Sequence, residues 1–362
     1  MGKAIHNNFI TIAKAIGIVL MVIGHSGCPQ LLFKFIYLFH MPLFFFCSGI
    51  FYREMLSKDS VTIFLKKKVR GLYVPFVKWS VFFLFLHNLL LAVGVYNSHY
   101  GFEGGSHFYS VYDMLWRLSM ILFTMTGYED LLGGFWFIRS LFISCLLIAL
   151  VSYILRFSFK YKHELICFFF LIITIFLRKF VPDIEFFREV SMGSFGAMFY
   201  MVGYLLNPYT RFWQNRYGAV ACCLSLLFFI YFFRSGVSMG CGYNKVLPFS
   251  LSAVSGTMLT IYVSKLIEKR FSILKCFLYY IGNHTLEILA LHFLSFKLVS
   301  YLIVLLYGFD IAHIAEHPVI KSISVSVSHW WILYTIVGIV VPLLAIIVWQ
   351  EVVNLLKKII CV

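Results

Sequence analysis

Lys14 and His25 are the side chains in this chain best placed to do chemistry. Both lie in one very apolar segment, residues 9–26, and eleven positions separate them. At ~100° per residue that spacing is three helical turns plus ~20°, so a helix carries both on one face, ~16 Å apart along its axis. A lysine near the middle of a membrane helix costs on the order of 2.5–3.5 kcal/mol. Two ionisable groups on one stripe therefore point to a polar path into the protein. Neutral imidazole, with an ordinary pKa of ~6.5, can take a proton in a transition state. A lone histidine at a helix end is also commonly an interfacial or hydrogen-bonded residue, and spacing alone does not separate these readings.

Further candidates follow along the chain. Lys67 and Arg70 are three apart in residues 66–76, so they share a helical face at the membrane surface. Such a pair can grip a phosphate-rich ligand, although topology alone also accounts for the charges. His40 and Pro42 interrupt an apolar run at 39–49. Pro42 opens the backbone ladder, and His40 reads equally well as a packing histidine bonded to a carbonyl. Arg139 sits in the apolar stretch 134–141 and needs a partner or a wet cavity. Glu129 or Asp130 would serve if their loop folds back. Glu287 and His292 are five apart, ~140° around a helix, so they do not share a face. Glu287 reads most simply as a polar contact near a helix start. His40, Glu129, Arg139, Glu287 and His292 are thus candidates to line a pore or a substrate path.

The elements that must position these residues are membrane helices. Hydrophobic residues make up 61% of the 362 positions, charged residues 12%, and mean hydropathy is +0.90. That excludes an ordinary soluble domain. The 41 Phe and 22 Tyr suit a lipid-facing bundle with aromatic interfaces. The first apolar stretch lacks a small-residue cleavage site and reads as a retained anchor. Runs of ~20 apolar residues fall at 9–27, 34–53, 72–95, 135–156, 163–181, 193–207, 217–234, 246–267, 286–307 and 331–354. The expectation is an all-α integral membrane protein of about ten transmembrane helices, forming one domain over 1–362 with no soluble domain. The sixth run is short and carries Gly193, Gly196 and Gly203, so it is expected to tilt or pack closely.

Loop charges set the expected orientation. With the N-terminus inside, eighteen Lys and Arg residues fall on the cytoplasmic side, Lys66, Lys67, Lys68, Arg70, Lys269 and Arg270 among them, against seven opposite. That asymmetry places both termini in the cytoplasm. The net charge of +15 follows from it and implies attraction to anionic membrane lipid. Nucleic-acid binding has no support, because the basic residues are spread over membrane loops. Two outer loops, 96–134 and 308–330, are long enough to cover a site or to be plain connectors. The first holds Glu103 and Asp113 with Gly101, Gly104 and Gly105; the second holds Asp310, His313, Glu316, His317 and His329. The nine cysteines form no CxxC pair, so neither a disulfide framework nor a zinc signature is present. Cys28 and Cys241 are both expected outside, and free buried thiols are the expected state.

Taken in order, these motifs resemble the membrane-bound acyltransferase 3 family. Lys14 with ten residues before His25 is similar to that family's basic-x10-His motif, and Lys67 with Arg70 resembles its basic pair before the third helix. FHMPLFFFCSGIFY at 39–52, GFWFIRSLF at 134–142 and IGNHTLEILALH at 281–292 match its local patterns. The flavour is that of the fucose 4-O-acetylase-like, polysaccharide-acylating branch, and the coverage is nearly the whole chain. The departures are lysine for the commoner arginine at 14 and 67, and His284 and Ala290 where relatives often carry other residues.

The resemblance implies acyl transfer across a bacterial cytoplasmic (inner) membrane. Acetyl-CoA would be the acyl donor, with its phosphates on Lys67 and Arg70. Lys14 would serve coenzyme binding or pore electrostatics, and His25 would be the general base. The acceptor would be a sugar hydroxyl of an exported, cell-surface or lipid-linked glycan, with no metal involved. Succinyl-CoA is the alternative donor, and oligomeric state is not implied. A transporter or exporter of a lipid-linked glycan is the competing reading, using Lys14, Lys78, Arg139 and Lys297 along a pathway. Transporters usually show a repeated half, and no internal repeat is found.

Overall fold

The computed structural model describes residues 8–100, 106–157, 159–207 and 215–360, with side chains to 356. Lys3, Gly101, Glu103, Gly104, Gly105 and Cys361 lie outside the described residues. Fourteen α-helices and no strand occur among the described residues, and the protein is an all-α integral membrane protein. Among the described residues, seven helical stretches are long and apolar enough to cross a membrane: Asn8–His25, Gln30–Gly49, Lys58–Ala92, Asp130–Ile154, Tyr243–Arg270, Thr285–Tyr307 and Trp330–Leu356. The other three expected runs also fold as helices, at Lys162–Phe180, Glu185–Leu206 and Arg216–Phe232. The first of these carries Lys162, Glu164, Arg178 and Lys179 at its ends, and the last has only 17 residues.

The helices gather into two compact units. The first comprises Met1–Gly17, Leu31–Val77 and Trp136–Gly282; the second comprises Ile18–Gln30, Lys78–Phe135 and Asn283–Val362. Helix α1 (Asn8–His25) is unbroken and contributes residues to both.

In the first unit, α9 (Glu185–Leu206) packs on α3 (His40–Gly49), α7 (Trp136–Ile154) and α8 (Lys162–Phe180). Its crossing with α3 is backbone on backbone. A Cβ at Gly49 would lie 1.8 Å from the Tyr200 carbonyl oxygen, and one at Gly203 would lie 2.2 Å from that of Phe46. Small residues permit this approach where lipid supplies no hydrophobic drive, so the sixth expected run is indeed closely packed. It is also eight residues longer at its start than expected, because Glu185 to Met192 continue the helix. Arg178 braces the C-terminal end of α8. Its guanidinium donates to Ser191 Oγ (3.0 Å), to the Cys241 carbonyl (2.6 Å) and to the Met239 carbonyl (3.0 Å).

Two expected elements are divided differently. The run 34–53 is a pair of helices, α2 (Gln30–Tyr37) and α3, parted at Leu38–Phe39. Pro42 has no N–H to give the Leu38 carbonyl, so the ladder breaks there. The expected loop 53–71 is largely helical: α4 (Lys58–Lys68) starts at a Ser57–Ser60 capping box. A widened π-type turn over Val69–Tyr73 joins it to α5 (Val74–Ala92).

The second unit is organised around α13 (Thr285–Tyr307). It packs along α14 (Trp330–Ile360) and against the short 3-10 turns at Asp130–Phe135 and Ile311–Ala315. A Cβ at Gly338 would meet the Phe296 ring at 2.4 Å, and Ser300 Oγ lies 2.9 Å from the Tyr334 hydroxyl. On α14, Ile332, Ile336, Val340 and Leu344 are exposed at four-residue spacing, the stripe expected of a lipid-facing helix. Helix α6 (Val111–Thr124), inside the long loop after α5, exposes Val111, Tyr112, Leu115, Trp116 and Phe123 and suits a membrane interface.

Candidate functional site

The second unit brings His25 and His292 together. Their ring centroids are 5.6 Å apart, and the Phe293 ring stands edge-on to His25 at 5.0 Å. His25 is the last residue of α1. His292 is fully buried on α13, one residue before Phe293. Its Nδ1–H donates to the carbonyls of Ile288 (3.2 Å) and Leu289 (3.0 Å). That commitment fixes the tautomer and leaves Nε2 as a lone-pair acceptor. Nε2 is buried and has no hydrogen-bond partner among the described residues. Gly134 makes room beside it, since a Cβ there would lie 2.8 Å from Leu289 and 3.9 Å from the His292 ring.

A third imidazole completes the cluster. His317 is buried, with its ring 4.5 Å from that of Phe293. Burial pushes its pKa down from 6.5 to about 2, reinforced by Lys297, His25, His292 and Lys321. It is therefore neutral at ordinary pH. Lys297, buried in α13, holds the segment that presents it: its ammonium donates to the carbonyls of Ile314 (2.9 Å) and Glu316 (2.7 Å). Asp130 and Glu316 supply the favourable charge around that lysine.

Glu316 locks the same segment from the other side. Its carboxylate accepts from His313 Nδ1 (2.5 Å), Ser322 Oγ (2.6 Å), the Ser322 N–H (3.2 Å) and the Lys321 N–H. Burial alone would raise its pKa, but the hydrogen bonds from Ser322, His313 and Lys321 outweigh that and hold it below 4.5. Ser322 and Glu316 meet the same nitrogen of His313. A nucleophile relay needs them on opposite nitrogens, so this trio is a brace.

Glu129 belongs to a separate buried pair. His87 Nδ1 lies 2.9 Å from Glu129 Oε2, and His87 Nε2 lies 3.0 Å from the His107 carbonyl. A carbonyl accepts only, so Nε2 carries a proton and a second proton is held between Nδ1 and the carboxyl. Tyr109 stacks on the His87 ring at 3.5 Å, and Arg117 covers Tyr109 at 4.0 Å. Glu287 is half-buried in the first turn of α13.

The remaining candidates lie in the first unit. Arg139 is paired with Glu185 (3.3 Å) and Glu189 (3.6 Å) of α9, which corrects the expectation that Glu129 or Asp130 would reach it. His40 Nδ1 donates to the Ile36 carbonyl (2.9 Å), patching the end of α2 as a packing histidine does. Lys14 is half-buried, with Cys47 in its field. Lys67 and Arg70 are both exposed, whereas Lys68 turns inward over the Tyr200 ring at 5.4 Å. Cys28 and Cys241 are free thiols. Among the described residues no group of three or more His, Cys, Asp or Glu is arranged to hold a metal ion.

Sequence reasoning missed His87, and it noted His317 only as a loop residue, Lys68 only as a loop charge and Lys297 only as an intramembrane charge. The signal for His87 was an isolated histidine in an apolar run, which needs a buried partner. His317 had no such signal, because its loop has no periodicity.

The second unit of this helical membrane protein thus gathers His25, His292 and His317 around Phe293. The acyltransferase domain model of the acyltransferase 3 family matches residues 7–349, and the chain belongs to that family and is a membrane acyltransferase. No curated protein and no solved structure matches it.

Proposed function

We propose that this protein moves an acetyl group from cytosolic acetyl-CoA to a sugar hydroxyl of an exported or cell-surface glycan, with His25 as the general base. The observation that carries the proposal is the pairing of half-buried His25 with fully buried His292, whose tautomer is fixed by the α13 backbone. In the transfer, the sugar oxygen attacks the thioester carbonyl as its proton passes to His25. The carbon–sulfur bond then breaks, and the coenzyme thiolate leaves and takes that proton back. A neutral, desolvated imidazole suits both steps. Lys67 and Arg70, exposed on the first unit, are suited to the phosphates of the donor. Lys14 contributes to coenzyme binding or to the local field. The setting is the bacterial cytoplasmic membrane, with about ten spans in one functional domain and both termini inside, because the basic residues concentrate on one side.

The test is thioester turnover. Full-length protein in lipid nanodiscs receives labelled acetyl-CoA or succinyl-CoA, with and without a glycan extract, alongside His25→Ala. Acetyl-CoA-dependent labelling of glycan that vanishes in the variant is the expected result. Equal turnover by His25→Ala would remove His25 as the base, and preference for succinyl-CoA would change the donor.

A further inference from the structure

A cavity of about 390 Å³ lies in the second unit, lined by His99, Tyr100, Glu316, His317, Lys321 and Ser322. That is within the ~300–1,000 Å³ of small-molecule sites. Its two walls are tied together. The Asn97 side chain accepts from the N–H groups of His99 (3.0 Å) and Tyr100 (2.8 Å) and donates to the Ala312 carbonyl (2.8 Å). The Tyr100 ring lies on the His313 ring at 5.1 Å. The opposite wall is held by the hydrogen bonds to Glu316 described above. The cavity is thus a built feature of two braced segments.

Its lining is graded. His99, Lys321 and Ser322 are exposed and form the rim, and Tyr100 is half-buried. His317 and Glu316, each only 4% exposed, are the deep residues, and the His317 ring lies 4.5 Å from the Phe293 ring that also contacts His25. The same imidazole therefore borders the cavity and the histidine cluster.

The chemistry offered is specific. Lys321 brings an ammonium with three donors, while Ser322 has given its proton to Glu316 and keeps lone pairs to accept. Hydroxyl groups donate and accept at once, so they match such a mixture. Tyr100 adds an aromatic face, whose negative π surface attracts the C–H groups of a sugar ring. A flat apolar ligand would leave the rim groups unpaired, and a cation would face Lys321.

We propose that this cavity is the acceptor site and takes one saccharide ring, stacked on Tyr100 and bonded at Lys321 and Ser322, with His317 as the positioning residue for the reacting hydroxyl. The proposal rests on the reading that the acceptor is a sugar, and it assigns that sugar a place in the chain.

The experiment is saturation-transfer NMR on full-length protein in nanodiscs. The probes are glucose, galactose, N-acetylglucosamine, rhamnose, fucose and glucuronic acid, each alone. At least one should receive saturation from wild type. Tyr100→Ala and Lys321→Ala should each lower that signal fivefold or more at unchanged melting temperature, and Tyr100→Phe should restore most of it. If Tyr100→Ala does not fold, Lys321→Ala with Tyr100→Phe decides alone. No signal from any probe, or a signal indifferent to the folded variants, overturns the acceptor site. Wild-type acetyl-CoA turnover is followed in parallel. Tyr100-dependent sugar binding without turnover would overturn the transfer reading and leave the site standing. His25-dependent turnover without such binding would do the reverse.

Discussion

His25 and His292 face one another at 5.6 Å between ring centroids, and the Nδ1–H of His292 is spent on the backbone of its own helix. The two rings therefore play unequal parts. His292 is held in one tautomer and one orientation, while among the described residues no hydrogen bond to another side chain restrains His25 in the same way. A group that must take a proton and give it back needs that freedom, and its neighbour needs the rigidity.

His25→Ala should lower acyl transfer by about 10²–10⁴-fold, the usual worth of a positioned base, with membrane insertion intact. His292→Gln keeps a donor for the backbone but alters the facing group, and it should lower turnover less. Rates from labelled thioester, measured with melting temperatures of both variants, check this. Equal effects of the two substitutions would contradict the unequal roles.

Lys297 is the second point at which the site can be probed. Its ammonium satisfies the carbonyls of Ile314 and Glu316 within a buried environment. Lys297→Met preserves much of the volume and orphans both. Each unsatisfied buried acceptor costs about 1–3 kcal/mol, so the variant should melt lower and lose turnover through displacement of His317. Thermal unfolding together with kinetics tests it, and a variant with wild-type values in both would show that the lysine is dispensable.

Legibility was uneven, for physical reasons. The long apolar runs and the Lys14–His25 spacing declared themselves, because membrane helices advertise both length and the cost of a buried charge. α1 is continuous through both residues. Local backbone events were harder to foresee. The Pro42 break divides α2 from α3, and the π-type turn at Val69–Tyr73 accompanies an inward Lys68 beside exposed Lys67 and Arg70. Tertiary pairings were out of reach. His87 finds Glu129 across 42 positions, and Arg139 finds Glu185 across 46. The loop holding His317 is ordered by Lys297 and by the donors on Glu316, partners that no spacing rule connects.

The His87–Glu129 pair should behave as a coupled, buried hydrogen-bonded pair. Both side chains are 3% exposed. Glu129→Leu leaves a buried His87 Nδ1 without its partner, and His87→Phe leaves a buried carboxyl without its own. Breaking one partner of such a pair typically costs about 3–5 kcal/mol, whereas replacing both with apolar residues is often far milder. A double-mutant cycle on unfolding free energy should therefore show the double variant more stable than the sum of the singles implies. Simple additivity would mean the contact contributes nothing.

His317 makes a pH prediction with a definite sign. Its pKa is lowered by burial from 6.5 to about 2, so the folded protein keeps it neutral where the unfolded chain protonates it. The unfolded state then binds more protons below pH 6.5, and stability falls with falling pH by about 1.4 kcal/mol per unit for this one group. The contribution is fully present above 6.5 and is lost as pH drops toward the folded value. Glu316 has the usual carboxylate sign, with its stabilisation present above 4.5 and lost as pH falls through its depressed value, so it leaves the window from 6.5 to 5 clear. Unfolding free energies in mixed micelles, taken from pH 7.5 to 5 for wild type and His317→Asn, isolate the term by difference. The wild-type curve should be the steeper of the two below pH 6.5 and should run parallel to the variant above it. Parallel curves throughout would mean that His317 titrates alike in both states and would contradict the downward shift that burial imposes.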